Sequence, residues 1–533
     1  MNLDTMLLAG TEDSTIGEGA LPGTYGSILF AKTEDGTPRE TTEVPAFFAD
    51  LNLDQVIDAI AAGKQEYNLK PFFYTPLHDI DAIEYRHEVL RDLENRTLFE
   101  RIESFAEKMR AVREHLAQSD KLYYQYRKER GFLDAVELYC GAVIDLVHDL
   151  SLVEPQSRGL LAFREFLRNY TESDRFATLQ TDTKQLLADL SGVTYCFTVK
   201  GNAVTVRKCE GEVDYSAEVE ATFAKFGRRS ARVYRGESRR WPDMDHVEAE
   251  VLDCVAQLYP EIFSRLDIYC ARNSSYLDET ICLFDREIQF YVAYLKYITR
   301  IRQAGLQFCY PQVSDTSKEV YGYGAFDIAL AYELMGKKSV AVTNDFHLND
   351  QERIIVVSGP NQGGKTTFAR MVGQLHYLAS LGCPVPGTKA QLFLCDGIYT
   401  HFGREEDIQN LRGELKQDLT RIHDILEQAT TDSIIIVNEI FTSTALQDAI
   451  LLGERVMQRM IELDLLCVCV TFIDELASLS EKTVSMVSTV VPDNPTERTY
   501  KILRRPADGL SYAISIAEKY GLTYECLREQ IGE

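Results

Sequence analysis

The apolar positions of this chain repeat in two ways, and the change from one to the other divides it. From about residue 75 to about residue 300 they recur at helical spacing. Val136, Cys140, Val143, Val147 and Leu150 step by fours and threes, and Leu277, Ile281, Phe284, Ile288, Tyr291, Leu295 and Ile298 hold the same interval over three heptads. Such stripes predict long helices lying against one another. One stretch interrupts them. In VTYCFTVKGNAVTVRKC, Val193 to Cys209, two β-rich runs flank Lys200-Gly201-Asn202 and predict a hairpin. Later the pattern becomes short continuous apolar runs, Ile354 to Val357, Ser433 to Glu439 (SIIIVNE) and Leu465 to Thr471, separated by helical stretches. Buried strands alternating with helices imply a parallel sheet with ligands at the strands' carboxyl ends.

Ahead of the helical stretch, residues 10–44 are rich in Gly, Thr, Glu and Pro and are expected to form a loosely held arm with one strand-like island, Tyr25 to Ala31. Val44 to Ile60 reads as a small apolar helix and Pro71 to Pro76 as a turn-rich junction. The expected organisation is an arm with a small helix over 1–70, a mainly helical region over 71–310 and an α/β domain over 311–533. The helical region carries a β-containing insertion at about 190–242.

Composition narrows the class. A 45% hydrophobic content over 533 residues supports a large core, and a net charge of −26 favours a soluble cytoplasmic protein without general affinity for nucleic acid. Twelve cysteines lie scattered with neither a CxxC pair nor a Cys/His cluster, so neither a zinc site nor a secreted disulfide framework is expected. Cys467 and Cys469 fall on one face of a predicted core strand and read as packing. Asp4 and the lack of Lys or Arg before Lys32 argue against a secretory signal, and no apolar stretch approaches a membrane span.

The strongest chemical signal is RIIVVSGPNQGGKTTF, Arg353 to Phe368. The spacing of Gly359, Gly364, Lys365 and Thr366 after an apolar run fits a phosphate-cradling loop that opens a helix. In that reading Gly359, Pro360, Asn361, Gln362, Gly363, Gly364, Lys365, Thr366 and Thr367 surround the phosphates of ATP. The glycines let backbone N–H groups turn inward, Lys365 sets a cation on the β and γ phosphates, and Thr366 offers its hydroxyl to Mg2+. SIIIVNE ends in a polar pair, Asn438 and Glu439, at the place where such ATPases hold magnesium and orient the attacking water.

A basic stretch also stands out. In KFGRRSARVYRGESRRWPD, Lys225, Arg228, Arg229, Arg232, Arg235, Arg239 and Arg240 are opposed only by Glu237 before Asp243. Guanidinium groups interleaved with Phe226, Tyr234 and Trp241 suit phosphate contact with stacking. Pairing with acidic neighbours on the long helices is the alternative. A second stretch, KLYYQYRKERGF at Lys121 to Phe132, reads as a solvated helix face.

GPNQGGKTT at Gly359 to Thr367 and NEIFTST at Asn438 to Thr444, taken together, resemble the MutS family of mismatch-repair ATPases. TPLHDIDAIEYRHEVLRDL at Thr75 to Leu93 is similar to the opening of that family's core and lever region. IYTHFG at Ile398, TFIDELASL at Thr471 and DGLSYAISIAEKYGL at Asp508 are similar to segments of its ATPase domain. The resemblance implies an α/β P-loop ATPase domain of ABC type at the C-terminus, preceded by a mainly α-helical core and lever domain with a small β-containing clamp insertion. It implies ATP and Mg2+ as cofactors, Lys365 and Glu439 as catalytic residues, and Thr366 with Asn438 at the metal. It further implies a homodimer acting on duplex, mismatched or branched DNA in repair or recombination, with the arginine cluster near the clamp.

Departures from the pattern shape the expectation. No room exists before Thr75 for the family's mismatch-reading and connector domains, so a short form is expected. Asn438 stands where the family has aspartate, Phe472 where a histidine senses the γ-phosphate, and Gly413 where a partner subunit presents a serine. Asn410, Arg412 or the Gly413 backbone would substitute in trans, giving a slow, dimer-dependent ATPase. A nucleotide-gated RNA or ribosome factor and a nonhydrolysing ATP-bound scaffold are the alternatives.

Overall fold

Side-chain caps start five helices of the helical region. The computed structural model describes residues 25–31, 40–201, 203–210, 244, 246–337, 339–403, 411–442, 444–491 and 494–507, without the side chains of 411–414 and 494–496. The helical region comprises α1 (Leu53–Ala61), α2 (Lys70–Tyr74), α3 (Ile80–Leu93), α4 (Arg96–Lys121), α5 (Gln125–Val153), α6 (Arg158–Thr171) and α7 (Asp174–Ser191). After the hairpin β1 (Tyr195–Lys200) and β2 (Ala203–Lys208) come α8 (His246–Leu258), α9 (Pro260–Arg272) and α10 (Glu279–Gln303). Asp79, Asn95, Ser157, Ser173 and Asp278 each accept from a backbone N–H of the first turn that follows. The predicted stripe of α10 is the centre of the core: Ile281, Phe284, Ile288, Tyr291 and Ile298 are fully buried. Leu277 of that stripe precedes the helix, which begins only at Glu279.

The hairpin forms as predicted, with Phe197 opposite Val206 and Val199 opposite Val204 across the Gly201 turn. Several local expectations need correction. Tyr25 to Ala31 is not a strand. It is an irregular buried strap whose polar groups are met by other elements: Ser27 Oγ donates to Glu287 Oε2 at 2.8 Å, Tyr85 Oη donates to Ser27 O at 2.7 Å, and Tyr291 Oη donates to Ile28 O at 2.7 Å. The helix expected over Val44 to Ile60 begins only at Leu53, after turns ending in left-handed Asn52. Pro71 lies in the first turn of α2, where its missing N–H costs nothing, so Pro71 to Tyr74 is helical. Lys121 to Phe132 is the turn between α4 and α5 plus the start of α5, and Tyr126 packs against Phe263 with ring centroids 4.9 Å apart.

Residues after 305 form sheets and helices in alternation. In chain order they are β3 (Phe308–Cys309), β4 (Gln312–Ser314), β5 (Val320–Ala325), α11 (Ile328–Met335), β6 (Asn344–Leu348), β7 (Ile354–Ser358), α12 (Lys365–Ser380), β8 (Val385–Pro386) and β9 (Lys389–Phe393). Next come β10 (Ile398–Phe402), α13 (Leu411–Gln428), β11 (Ile434–Asn438), α14 (Leu446–Leu463), β12 (Leu466–Val470), β13 (Thr483–Val491) and β14 (Asn494–Arg504). The main sheet runs β10-β11-β12-β7-β13-β14, parallel except for the last pair. Its two faces alternate along each strand: Ile355, Val357, Ile434, Ile436 and Val468 join the core shared with the helical region, whereas Ile354, Val356, Ile435, Cys467 and Cys469 join a second core with α14. Burial pushes the Cys469 thiol up to about 12, so it stays a neutral packing group. Among the described residues no helix is long and apolar enough to cross a membrane.

Candidate functional site

The carboxyl ends of β7 and β11 bring the predicted loop and the predicted polar pair together. Gly359, leaving β7, has φ 111°, and Gly364, immediately before α12, has φ 91°, values that glycine adopts without penalty. Gly363 is glycine for a different reason. A Cβ there would lie 2.2 Å from Ser488 Oγ of β13, whose hydroxyl donates to Gly363 O at 2.8 Å. The loop is thus seated on the neighbouring strand.

Lys365 is 4% exposed, and its ammonium donates to Gly359 O at 2.9 Å and Asn361 Oδ1 at 3.2 Å. Burial lowers its pKa, opposed by Glu439, whose Oε1 lies 3.7 Å from Nζ. Thr366 Oγ1 donates to Asn438 Oδ1 at 2.9 Å. Glu439 takes a left-handed backbone, φ 55°, as the chain leaves β11, with its N–H donating to Val470 O at 2.9 Å. That turn leaves the carboxylate partly exposed beside the loop.

A cavity of about 690 Å³ opens over this loop. Asn361, Gln362, Gly363, Gly364, Lys365, Thr366, Thr367 and Glu439 line one part; Leu330, Leu334, Val340, Val342, Asn344 and Tyr500 line the rest. The latter group has no counterpart in the sequence reading. Tyr500, at φ 57° in β14, brings its ring to 3.7 Å from where a Gly364 Cβ would be. Asn344 holds that irregular strand, donating to Tyr500 O at 3.1 Å and accepting from Ile502 N at 2.8 Å. Arg498 also reaches the loop, donating from Nε to Asn361 O at 3.2 Å. No local motif marks these residues, because they converge from α11, the stretch before β6, β6 itself and β14.

The other predicted residues fall elsewhere. Phe472 follows β12, is 47% exposed, and does not line the cavity. Gly413 and Arg412 are in the first turn of α13. Asn410 lies outside the described residues, as do Lys225, Arg228, Arg229, Arg232, Arg235, Arg239 and Arg240.

A family model described as MutS domain V matches residues 355–530, which begin within β7 and take in the loop, Asn438 and Glu439. That match places a MutS domain V in this part of the chain. It is 26% identical over 293 residues to the DNA mismatch repair protein MutS of Protochlamydia amoebophila, covering 53% of this chain and 33% of that protein. Against the human DNA mismatch repair protein Msh3 it is 26% identical, over 40% of this chain and 18% of the other. Against the endonuclease MutS2 of Thermus thermophilus the identity is 27%, over 35% and 25%. The matched stretch spans a third or less of the length of each of these relatives.

Proposed function

We propose that this chain is an ATP-hydrolysing, DNA-binding protein of MutS type. In this reading 311–533 is a P-loop ATPase domain, 71–310 a helical core and lever region with a clamp insertion, and 1–70 an N-terminal arm. It would work in the cytoplasm as a homodimer that opens and closes on duplex, mismatched or branched DNA. The observation that carries the reading is the convergence of Lys365, Thr366, Asn438 and Glu439 on one loop with a 690 Å³ cavity above it. Lys365 and the backbone amides of the loop would hold the phosphates, and the apolar wall with Tyr500 would receive the base. Thr366 Oγ1 and Asn438 Oδ1 are adjacent hard oxygen donors, the chemistry that Mg2+ takes. A magnesium ion held there would neutralise charge on the phosphate oxygens. Glu439, left-handed and partly exposed, is the base that orients water. Arg412 or the Gly413 backbone would be presented to a partner's nucleotide, and the exposed Phe472 makes no hydrogen bond to a γ-phosphate.

Steady-state turnover tests this directly. Glu439→Gln should abolish ATP cleavage while ATP still binds, and Lys365→Ala should lose both. Cleavage that survives Glu439→Gln rejects the assignment, and a wild-type protein that binds ATP without cleaving it favours the nonhydrolysing scaffold. For DNA, affinity should fall steeply with salt, and Arg228→Ala with Arg232→Ala should flatten that slope by about two units. Ribosome co-sedimentation without DNA binding would favour the RNA alternative.

A further inference from the structure

Residues 47–53 lie between elements that are far apart in sequence, and Asp50 is their junction. Its Oδ2 accepts from Thr400 Oγ1 of β10 at 2.6 Å and from Arg421 Nη2 of α13 at 3.0 Å. Its backbone carbonyl accepts from Arg370 Nε of α12 at 2.8 Å. Leu51 O beside it accepts from Gln374 Nε2 of α12 at 2.8 Å, and Phe47 and Phe48 pack edge-on against Tyr377 of the same helix. One short segment therefore grips α12, β10 and α13 at once.

The chemistry explains why a carboxylate stands there. β10 is the edge of the main sheet, and an edge strand's carbonyls need partners. Arg421 supplies them, donating to Thr400 O at 3.0 Å and more weakly to Phe402 O at 3.5 Å. Asp50 neutralises that guanidinium and fixes its plane. The pair is only partly exposed, with side-chain exposures of 34% for Arg421 and 16% for Asp50.

We propose that Asp50 is a positioning residue that locks α13 to the phosphate-loop helix α12. α12 begins at Lys365 and Thr366, one helical turn before Arg370; α13 begins with Arg412 and Gly413. Asp50 holds both the strand before residues 404–410 and the helix after them, and so sets where the first turn of α13 stands relative to the phosphate loop. The consequence for turnover rests on the ATPase reading, whereas the locking of α13 does not. Asp50 does not line the cavity, and its hydrogen-bond partners Arg370, Thr400 and Arg421 do not either, so its loss should change rate and not ATP affinity.

The experiment compares the wild type with Asp50→Asn, Arg421→Gln and the double variant. Turnover is measured against ATP concentration, and backbone hydrogen exchange is measured over 365–380 and 411–428. Asp50→Asn retains an acceptor for Thr400 but loses the charge that holds Arg421. Each single variant should lower kcat about tenfold with KM within about twofold, the double variant no lower than the worse single. Exchange over 411–428 should quicken about tenfold while 365–380 stays as in the wild type. Unchanged kcat in both single variants, a rise in KM that accounts for the loss, or unchanged exchange over 411–428 would overturn the inference. A wild type without Glu439-dependent turnover would remove the ATPase reading, and the exchange measurement then decides the locking role alone.

Discussion

Replacing Gly363 by alanine should unseat the phosphate loop, and the size of the effect follows from what the new methyl meets. Its Cβ would stand 2.2 Å from Ser488 Oγ and 2.9 Å from Pro360 O, where ordinary contacts begin near 3.4 Å. Ser488 is fully buried and cannot swing into solvent. Overpacking of this kind costs about 1–3 kcal/mol, and the Ser488 bond to Gly363 O, worth about 1 kcal/mol, is lost with it. If the loop absorbs most of the strain, ATP affinity falls about ten- to hundredfold. Equilibrium titration with ATP, in a Glu439→Gln background that prevents turnover, reads this directly, with denaturant unfolding as the stability control. Adding Ser488→Gly removes the Oγ and the Cβ that stands 3.1 Å away, so it should restore more affinity than Ser488→Ala. Affinity within twofold of the Gly363 protein, or no rescue by Ser488→Gly, would refute the view that β13 seats the loop.

Two further changes probe charge. Glu287 is 3% exposed, and burial pushes its carboxyl up to about 7 against the opposing bonds from Ser27 and Ile28 N. A raised carboxyl favours the folded state fully below the ordinary pKa of 4.5, and that stabilisation is lost as pH rises through about 7. Glu287→Gln should therefore be more stable than wild type at pH 8 by about 2–3 kcal/mol and nearly equal to it at pH 5, as thermal unfolding across that range would report. Asn438→Asp keeps the acceptor for Thr366 and adds a negative charge at the expected metal position. With the attraction moderated by water to about 1–2 kcal/mol, the Mg2+ concentration for half-maximal turnover should fall about tenfold. A magnesium titration showing no change, or a rise, would count against Thr366 and Asn438 as its ligands.

What could be read from the sequence was what local covalent geometry dictates. The strands showed as β-branched runs, the loop as glycines at fixed offsets, and α10 as a stripe of period 3.5, because each rule acts within a few residues. The Tyr25 to Ala31 strap escaped that logic. Its apolar residues mimic a strand, yet its backbone is satisfied by Tyr85, Arg86 and Tyr291, and its Ser27 by Glu287, partners 57 to 263 residues away. Tyr500 and Asn344 escaped it too, since their place in the cavity depends on β14 and β6 meeting in space. Asp50 looked like one more acid in an acidic chain until β10 and α13 closed around it.

The same long-range contacts bear on how nucleotide state would reach the helical region. α12 carries Lys365 and Thr366 at one end, and at the other the chain is fastened repeatedly: Tyr377 Oη donates to Phe73 O at 2.7 Å, Leu77 N to Ser380 O at 2.8 Å, and Arg86 Nη1 to Leu381 O at 2.9 Å. Arg86 is fully buried between the Phe30 and Phe290 rings, and its Nε donates to Leu29 O at 3.1 Å, so α3, the strap and α10 share one junction with α12. A helix of 16 residues spans about 24 Å and transmits displacement along its axis. Close-packed surroundings do not yield by small continuous shifts, so a change at the phosphate loop must either be absorbed in the loop or move α12 and the Arg86 junction together. Under the proposed ATPase reading, the second outcome would carry motion from the loop to α3 and α10.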